Sequence, residues 1–321
     1  MSWKVRTGTV EQELIEAIKG FVGDSFIGDD CAVLPGQMLA TSDSLVEGTH
    51  FLLPRTTAAD LGWKAIAVNL SDIAAMAGRP RHILIDLSMP ADFPGRLFRS
   101  LFQSMSECAR TYRTTIVGGD LTRGALLTIS VTALGEVHER GCLRRSGARP
   151  GDIVAVTGDF GASAAGLFVL EHGLGGYPHC RQRHCRPLPR LCESWALVRQ
   201  TGSRGALMDA SDGLADALIQ VARASRVGME IELDAVPVHR ETVALAKLAC
   251  VDAYRWALYG GEDYELVAAI PPSVWSDWQQ APDNPFQAIG AVTDSGRVVV
   301  KGDAERELDP SQSFQHWTNL V

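Results

Sequence analysis

Short apolar strands, glycine-containing turns and longer helical patterns alternate along this 321-residue chain, and this alternation limits its possible folds more than any other feature. The stretch "DIVAVTGDFGASAAGLFVLEHG" (152–173) has the pattern of a strand, a turn and a helix. The same arrangement returns in "ALMDASDGLADALIQVARAS" (206–225). Another helical pattern at 59–78 ends at Gly78, with Pro80 just beyond it, as helix ends often do. We therefore predict a mixed α/β fold.

The length of the chain and its hydrophobic content of 46% suggest two domains of ordinary size, each with its own core. The segment "HERGCLRRSGARPGD" (138–152) is polar and rich in glycine and arginine, so it is the best candidate for a linker. We place the boundary between 140 and 150, with an N-terminal domain of residues 1–140 and a C-terminal domain of residues 141–321.

Composition excludes several classes of function. The formal net charge of −8 and the pI near 5.5 argue against a nucleic-acid-binding protein, which would need a basic face. No stretch approaches the about 18 apolar residues that indicate a membrane span, and "MSWKVRTGTVEQELIEAIKG" lacks the apolar core of a signal peptide. Seven scattered cysteines indicate reduced thiols and not a disulfide framework. We expect a soluble, cytoplasmic protein.

One segment concentrates residue types that bind metals. The stretch "HCRQRHCRPLPRLC" (179–192) contains three cysteines and two histidines among four arginines and two prolines. Its ligand spacing fits no common structural zinc site, although the sequence does not exclude zinc. We interpret it as an arginine-rich surface loop, in a wider segment, 176–192, whose role the sequence leaves open.

Acidic residues fall beside glycine, serine or threonine at the ends of the predicted elements. Several carboxylates in one cleft would repel one another and raise their pKa values unless cations lay between them. Mg²⁺ is bound by oxygen ligands, commonly one or two carboxylates together with phosphates of a substrate. The pattern therefore predicts more than one Mg²⁺ and a polyphosphate ligand. The acidic residues in question are Asp29, Asp30, Asp43, Asp72, Asp120, Asp209, Asp212, Glu262 and Asp263.

Simpler interpretations compete at individual positions. Ser211 or Asp212 could cap the following helix, and Asp72 could pair with Arg79 or Arg81. The glycine-rich turn "TGDFGASAAG" (157–166) could accept an anion at a helix start, or could only allow a strand and a helix to pack closely. No P-loop motif and no protein-kinase catalytic loop occurs in the sequence.

Taken in order, eight motifs resemble those of the thiamine-monophosphate kinase family, within the aminoimidazole ribonucleotide synthetase superfamily. The resemblance spans about residues 25–270 and is weaker before 25, in 172–200 and after 270. The motifs are "IGDDCAVL", "TSDSLVEGTHF", "KAIAVNLSDIAAMAG", "GGDLTRG", "RSGARPGD", "VTGDFGASAAGL", "DASDGLADAL" and "GGEDYEL".

The resemblance implies a two-domain α/β fold, whose N-terminal domains pair into a dimeric β-barrel. It also implies direct, in-line transfer of the ATP γ-phosphate to thiamine monophosphate, giving thiamine diphosphate, with several Mg²⁺ ions. Asp120, Asp212 and Arg145 would be the catalytic residues.

The family motifs also imply a role for individual side chains. The implied metal ligands are Asp30, Thr41, Ser42, Asp43, Asp72, Asp120, Asp209 and Asp212. The implied ATP contacts are Gly119, Asp120, Arg145, Ser211 and Tyr112. The implied contacts to thiamine monophosphate are His50, Glu262 and a C-terminal aromatic residue, Phe314 in preference to Trp317.

Two other functions stay open at this point. Sister families on this scaffold catalyse other ATP-dependent reactions, although the cysteines and the C-terminal motif that mark some of them are missing from this sequence. A protein that binds nucleotide and metal without turnover is the other alternative, and the loss of one or two of these acids would have indicated it. Every acid that the resemblance requires is present, which favours the kinase.

Overall fold

A computed structural model describes residues 10–313, so Phe314 and Trp317 lie outside the described residues. Residues 10–137 form one helical and one sheet layer. The elements of this N-terminal half are α1 (Val10–Val22), β1 (Ala32–Leu34), β2 (Met38–Val46), α2 (Ala58–Ala75), β3 (Arg79–Met89), α3 (Gly95–Thr111), β4 (Thr115–Arg123) and β5 (Thr128–Glu136).

The C-terminal half begins after residues 137–152, which contain a short 3₁₀ helix, Arg145–Gly147. Two further 3₁₀ helices, Leu233–Ala235 and Pro310–Gln312, lie in this half. Its strands are β6 (Ile153–Val156), β7 (Ala206–Asp209), β8 (Gly228–Glu232), β9 (Leu266–Ile270), β10 (Gln287–Thr293), β11 (Val298–Lys301) and β12 (Arg306–Glu307). Its helices are α4 (Ala162–His172), α5 (Pro178–Cys185), α6 (Leu191–Thr201), α7 (Leu214–Ser225), α8 (Arg240–Leu248), α9 (Ala253–Tyr259) and α10 (Pro272–Trp278).

Each half is built on its own mixed sheet. The N-terminal sheet has the order β1-β2-β5-β3-β4, in which only the β3–β4 pair is parallel. The C-terminal sheet has the order β12-β11-β8-β10-β6-β9-β7, in which only the β8–β11 pair is parallel. Each sheet packs against helices through its own apolar core, which agrees with the predicted α/β fold.

The two faces of the N-terminal sheet differ because side chains alternate along a strand. Leu45, Ile85 and Val131 point to the face that α2 and α3 cover, and all three are buried. The opposite, outer face includes Ser44 and Asp86, which are exposed. The N-terminal half is therefore one sheet with one covered face and one face that no other described element covers.

Helix α2 lies between the two halves and is buried along most of its length. It starts at Thr57, whose hydroxyl accepts a hydrogen bond from the Asp60 N–H at 3.0 Å, as an N-cap does. Small residues allow close approach: a Cβ added at Gly62 would lie 2.2 Å from the Leu101 carbonyl oxygen of α3. The helix ends at Ala75, three residues before the predicted end at Gly78. Because α2 faces both cores, its polar side chains can join the two halves.

The structure corrects the prediction of a surface loop at 179–192. Residues 178–185 form α5, and Cys180, His184 and Cys185 are buried. Three arginines of this segment, Arg183, Arg186 and Arg190, pair with acids that are distant in the sequence, so their charge does not require a place on the surface. Within residues 10–313, no helix has the length and apolar composition needed to span a bilayer.

Candidate active site

Three carboxylates from three separate elements meet where the two halves face each other. Asp30 precedes β1, Asp72 lies in the last turns of α2, and Asp209 ends β7. One oxygen of each lies within 4.8 Å of the others. Burial, together with the neighbouring carboxylates, raises the pKa of Asp72 well above its usual value and that of Asp209 to about 8. Without a counter-charge, this arrangement is electrostatically unfavourable.

Hydrogen bonds from neighbouring hydroxyl groups fix two of the three carboxylates. The Thr41 hydroxyl donates to Asp72 Oδ2 and the Ser71 hydroxyl donates to Asp209 Oδ2, both at 2.5 Å. The other oxygen of Asp209, Oδ1, is buried and has no hydrogen-bond partner in residues 10–313. A buried carboxylate oxygen without a donor, beside two further carboxylates, is the arrangement that a hard cation would satisfy. The residues therefore fit an Mg²⁺ site.

Asp43 belongs to the same electrostatic group. Its charge raises the pKa of both Asp72 and Asp209. The Asp43 backbone N–H donates to the Asn69 side-chain oxygen at 2.9 Å, and the Asn69 amide in turn donates to the Ala65 carbonyl at 3.0 Å. Strand β2 is thus tied to α2 at this point, and five of the predicted metal ligands lie in one region: Asp30, Thr41, Asp43, Asp72 and Asp209.

Other predicted metal ligands lie apart from this group. The Ser42 hydroxyl is on the outer face of the N-terminal sheet and donates to the Val131 carbonyl at 3.0 Å. Asp120 is exposed and lies on edge strand β4. Across the sheet, its register partners are Asp86 on β3, Ser130 on β5 and Ser44 on β2. Three strand spacings separate β4 from β2, which is about 14 Å at about 4.8 Å per strand. One protomer alone does not bring Asp120 to the acidic cluster.

Two of the residues assigned to the nucleotide have clear structural roles. Gly119 has a φ of 145°, and a Cβ at this position would lie 1.8 Å from the Ile85 carbonyl oxygen, so only glycine fits. Tyr112 ends α3 and packs edge-to-face against Trp63, with the ring centroids 6.2 Å apart. Tyr112 therefore lies in the apolar packing between α2 and α3 and not beside the acids.

The turn at 210–213 does not cap α7 as predicted. The N-cap residue is Gly213, and no side chain caps the helix there. The Ser211 carbonyl instead accepts a hydrogen bond from the Glu262 N–H at 2.5 Å. Asp212 is close enough to Tyr264 for its charge to raise the pKa of that phenol. This turn is therefore shaped by the segment 260–265, which lies alongside it.

Arg145, predicted to contact phosphates, is bound to an acid of the cluster. Its Nη2 and Nε lie 2.7 and 3.3 Å from the two carboxylate oxygens of Asp30, and its Nη1 donates to Gln220. The Arg145 side chain is only 17% exposed. The guanidinium therefore offsets part of the negative charge of the cluster at its edge.

A second group of charged residues surrounds Glu262. Lys64 Nζ lies 2.7 Å from Glu262 Oε1, and His184 Nδ1 lies 3.4 Å from Glu262 Oε2. Burial opposes ionisation of Glu262, but Lys64, His184 and His50 together hold its pKa below the usual value. Burial and the Lys64 charge lower the pKa of His184 to about 4, so this imidazole is neutral at pH 7. The predicted substrate residues His50 and Glu262 are thus brought close together.

The predicted anion site at the start of α4 contains an anion from this chain. The Asp263 carboxylate accepts hydrogen bonds from the backbone N–H groups of Gly161 and Ser163 at 2.7 and 2.9 Å. Glu262 and Tyr264 on either side have φ values of 58° and 52°, in the left-handed region where side chains are strained. The helix start therefore fixes the "GGEDYEL" turn and is not available to a ligand anion.

Sequence reasoning missed several residues that hold the site together. Asp72 accepts from Thr41 and not from Arg79 or Arg81, which pair with Glu139 and Glu136. The spacing of Asp60, Lys64 and Ser71 could have revealed part of this set, because residues four and seven positions apart lie on one face of a helix. A polar stripe on an otherwise apolar helix indicates polar partners across an interface. The missed residues are Lys64, Asn69, Ser71, His184 and Glu265.

The chain is similar to known proteins along most of its length. Two family models match the chain: AIR synthase related protein, N-terminal domain, at residues 28–137, and the corresponding C-terminal domain at residues 149–303. The thiamine-monophosphate kinase of Synechococcus elongatus is 37% identical, with 96% of each chain covered. That of Bacillus subtilis is 34% identical over 92% of this chain and 94% of its own.

A solved structure, AaThiL complexed with AMPPCP and TMP, has the same two-domain fold. It superposes with a TM-score of 0.84 at 30% identity, covering 98% of this chain and 100% of the other. The family predicted from the ordered motifs is thus confirmed. The chain belongs to the AIR synthase related proteins and, within them, to the thiamine-monophosphate kinases.

Proposed function

We propose that this protein transfers the γ-phosphate of ATP to thiamine monophosphate and releases ADP and thiamine diphosphate. The observation that carries the proposal is the cluster of Asp30, Asp72 and Asp209, with its unpartnered Asp209 oxygen, in a chain of the thiamine-monophosphate kinase family. Phosphoryl transfer requires mainly that two phosphates be held in line and that their charge be neutralised. No nucleophilic side chain is needed, and we propose direct in-line transfer.

The acidic cluster would hold Mg²⁺, which supplies neutralisation of the phosphate charge when bound. Asp30, Asp43, Asp72 and Asp209 are the best-supported ligands because they lie together. Thr41 is supported by its hydrogen bond to Asp72, whereas Ser42, Asp120 and Asp212 stay proposed ligands on the family resemblance alone.

The remaining residues would bind and orient the two substrates. Arg145, Asp120 and Asp212 would be catalytic, with Arg145 placed by Asp30 at the edge of the acidic cluster. The proposed ATP contacts are Gly119, Asp120, Arg145, Ser211 and Tyr112. The proposed contacts to thiamine monophosphate are His50, Glu262 and Phe314, with Trp317 as the alternative aromatic residue.

We propose that the N-terminal sheets of two protomers pair into a barrel. The outer face and the free edge of this sheet expose large apolar side chains: Met38, Leu84, Val117 and Leu121. Asp120 lies on the same face, about 14 Å from β2 by strand spacing. A role for Asp120 in catalysis therefore requires a second protomer.

We also propose domains of residues 1–140 and 141–321 and a cytoplasmic location. The first proposal rests on the change of sheet across residues 137–152. The second is supported by the seven cysteines, all of which are free thiols, as expected in a reducing compartment.

A coupled ADP-release assay with Mg-ATP tests the function. We expect ADP only with thiamine monophosphate as acceptor, and thiamine diphosphate in matching amount on chromatography. ADP formed with free thiamine or with an aminoimidazole precursor instead would indicate a sister activity. ATP binding without turnover of any acceptor would indicate a binding protein.

A further inference from the structure

One face of α2 makes three polar contacts to the C-terminal half. Asp60 pairs with Arg186 at 2.6 Å, Lys64 with Glu262 at 2.7 Å, and the Ser71 hydroxyl donates to Asp209 at 2.5 Å. The Ser71 contact supports the acidic cluster and the Asp60 contact lies near the surface. The Lys64–Glu262 contact belongs neither to the acidic cluster nor to the surface. It is also used by neither the proposed metal site nor the proposed ATP site.

Lys64 is buried, which is unusual for a lysine. The residue is 2% exposed, and its ammonium group pairs with a carboxylate of the other half of the molecule. A buried charge is energetically unfavourable unless it is paired, so loss of either partner would leave a destabilising charge behind. His184 on the other side of Glu262 is neutral at pH 7, which leaves Lys64 as the buried cation in contact with this carboxylate.

The contact determines which part of Glu262 is available. Oε1 is held by Lys64, while the Glu262 side chain as a whole is 29% exposed. The backbone at Glu262 is also fixed, by its left-handed φ of 58° and by the hydrogen bond to the Ser211 carbonyl. Glu262 therefore presents its accessible carboxylate edge in one orientation, close to His50.

We propose that Lys64 is a positioning residue for substrate recognition: by holding Oε1 of Glu262, it fixes the carboxylate so that the edge with Oε2, which lies 3.4 Å from His184 Nδ1, faces the organic part of thiamine monophosphate. That part carries an amino group and a cationic ring, both of which a carboxylate oxygen attracts. The inference rests on the proposed function, and it adds a residue that does not touch the substrate.

The first test is Lys64→Met in the full-length enzyme. We expect KM for thiamine monophosphate to rise about tenfold, equivalent to about 1.4 kcal/mol, while KM for ATP and kcat stay within about twofold, since only binding of one substrate is weakened. Lys301→Met is the control, because it removes a lysine–glutamate pair on β11, next to edge strand β12 and far from β9, which follows Glu262 in the chain. Equal changes in both KM values, or no change, would overturn the proposal.

A second pair of variants covers the case in which Lys64→Met fails to fold. Glu262→Gln removes the carboxylate, and the double variant Lys64→Met/Glu262→Gln also removes the buried charge that would lack a partner. If Lys64 acts through Glu262, KM for thiamine monophosphate in the double variant equals that of Glu262→Gln, within about twofold. A further rise in the double variant would show that Lys64 acts by another route.

The wild-type enzyme separates this inference from the proposed function. If it does not turn over thiamine monophosphate and calorimetry detects no binding, the proposed function fails and the inference fails with it. If it turns over thiamine monophosphate and the Lys64 variants leave its KM unchanged, only the inference fails.

Discussion

At the scale of single residues, Asp209 shows how burial prepares a carboxylate for a cation. One oxygen accepts from Ser71 and the other has no partner in the described chain. Burial and the charge of Asp30 raise the pKa of Asp209 to about 8, so the group is destabilised in the metal-free protein. Asp209 should therefore destabilise the folded protein when no metal is bound, and should contribute to the binding energy when Mg²⁺ is present.

The substitution Asp209→Asn tests this expectation. The midpoint of thermal unfolding in EDTA should stay equal or rise, because a buried like charge is removed, and the rise that Mg²⁺ gives the wild type should be lost. kcat/KM should fall by about 100-fold or more, as expected when a metal site is damaged. An Mg²⁺-dependent rise as large as that of the wild type would contradict the assignment of Asp209.

His184 predicts a dependence of stability on pH. Its pKa is about 4 in the folded protein and 6.5 ordinarily, so as pH falls the unfolded chain takes up the proton first. Its stabilising contribution is thus complete above pH 6.5 and is lost as pH falls toward 4. A difference of this size corresponds to about 3 kcal/mol. Between pH 6.5 and pH 4, we expect the free energy of unfolding in urea to fall less in His184→Gln than in the wild type.

The exposed residue His172 provides the control for this experiment. His172→Gln should leave the pH dependence of the wild type unchanged. A loss of stability with falling pH that is equally steep in His184→Gln would show that other groups cause it.

At the scale of elements, the segment from α5 to the start of α6 is a buried connection between the two halves, which we call the brace, and not a surface loop. Glu265, 1% exposed, accepts from Arg183 at 2.9 Å, from Arg190 at 2.5 and 2.6 Å, and from the Thr157 hydroxyl at 2.6 Å. The Trp63 indole of α2 donates to the Pro187 carbonyl at 3.0 Å. The segment therefore joins α2 to the strand that follows the "GGEDYEL" turn.

Arg190→Met measures the contribution of this brace. The substitution removes one of two arginines that compensate the buried Glu265 and leaves Arg183 in place, so we expect the free energy of unfolding in urea to fall by up to about 3 kcal/mol. Arg297→Met, which removes an exposed pair with Glu307, should cost no more than about 1 kcal/mol. Similar losses in the two variants would mean that the brace adds no more than a surface contact.

At the scale of the whole molecule, the outer face of the N-terminal sheet predicts assembly. Leu84→Asp puts a charge on the face that we propose to be buried in a dimer. We expect this variant to sediment as a monomer and to lose turnover, because Asp120 would then lack a second protomer. Leu248→Asp, at an exposed leucine of α8, should leave both properties unchanged. A wild-type protein that is active as a monomer would refute the barrel.

Much of the fold could be predicted from the sequence because periodicity and turn chemistry act over short distances. The predicted strand–turn–helix units at 152–173 and 206–225 are present as β6–α4 and β7–α7. The helix predicted over 59–78 is α2, which ends at Ala75; residues 76–78 form the turn that follows it. The family could also be predicted, because it depends on the order of motifs along the chain.

Tertiary structure alone decided which charges meet. The sequence pointed to Asp30, Asp72 and Asp209 together. The alternatives of an arginine partner for Asp72 and of a Ser211 or Asp212 cap for α7 are wrong, as is the surface-loop interpretation of residues 179–192. Each error concerns a contact between segments that are far apart in the chain, such as the 75 residues that separate Arg190 from Glu265. Local patterns show that a charged residue needs a partner, whereas only the packing of the two halves determines which one it has.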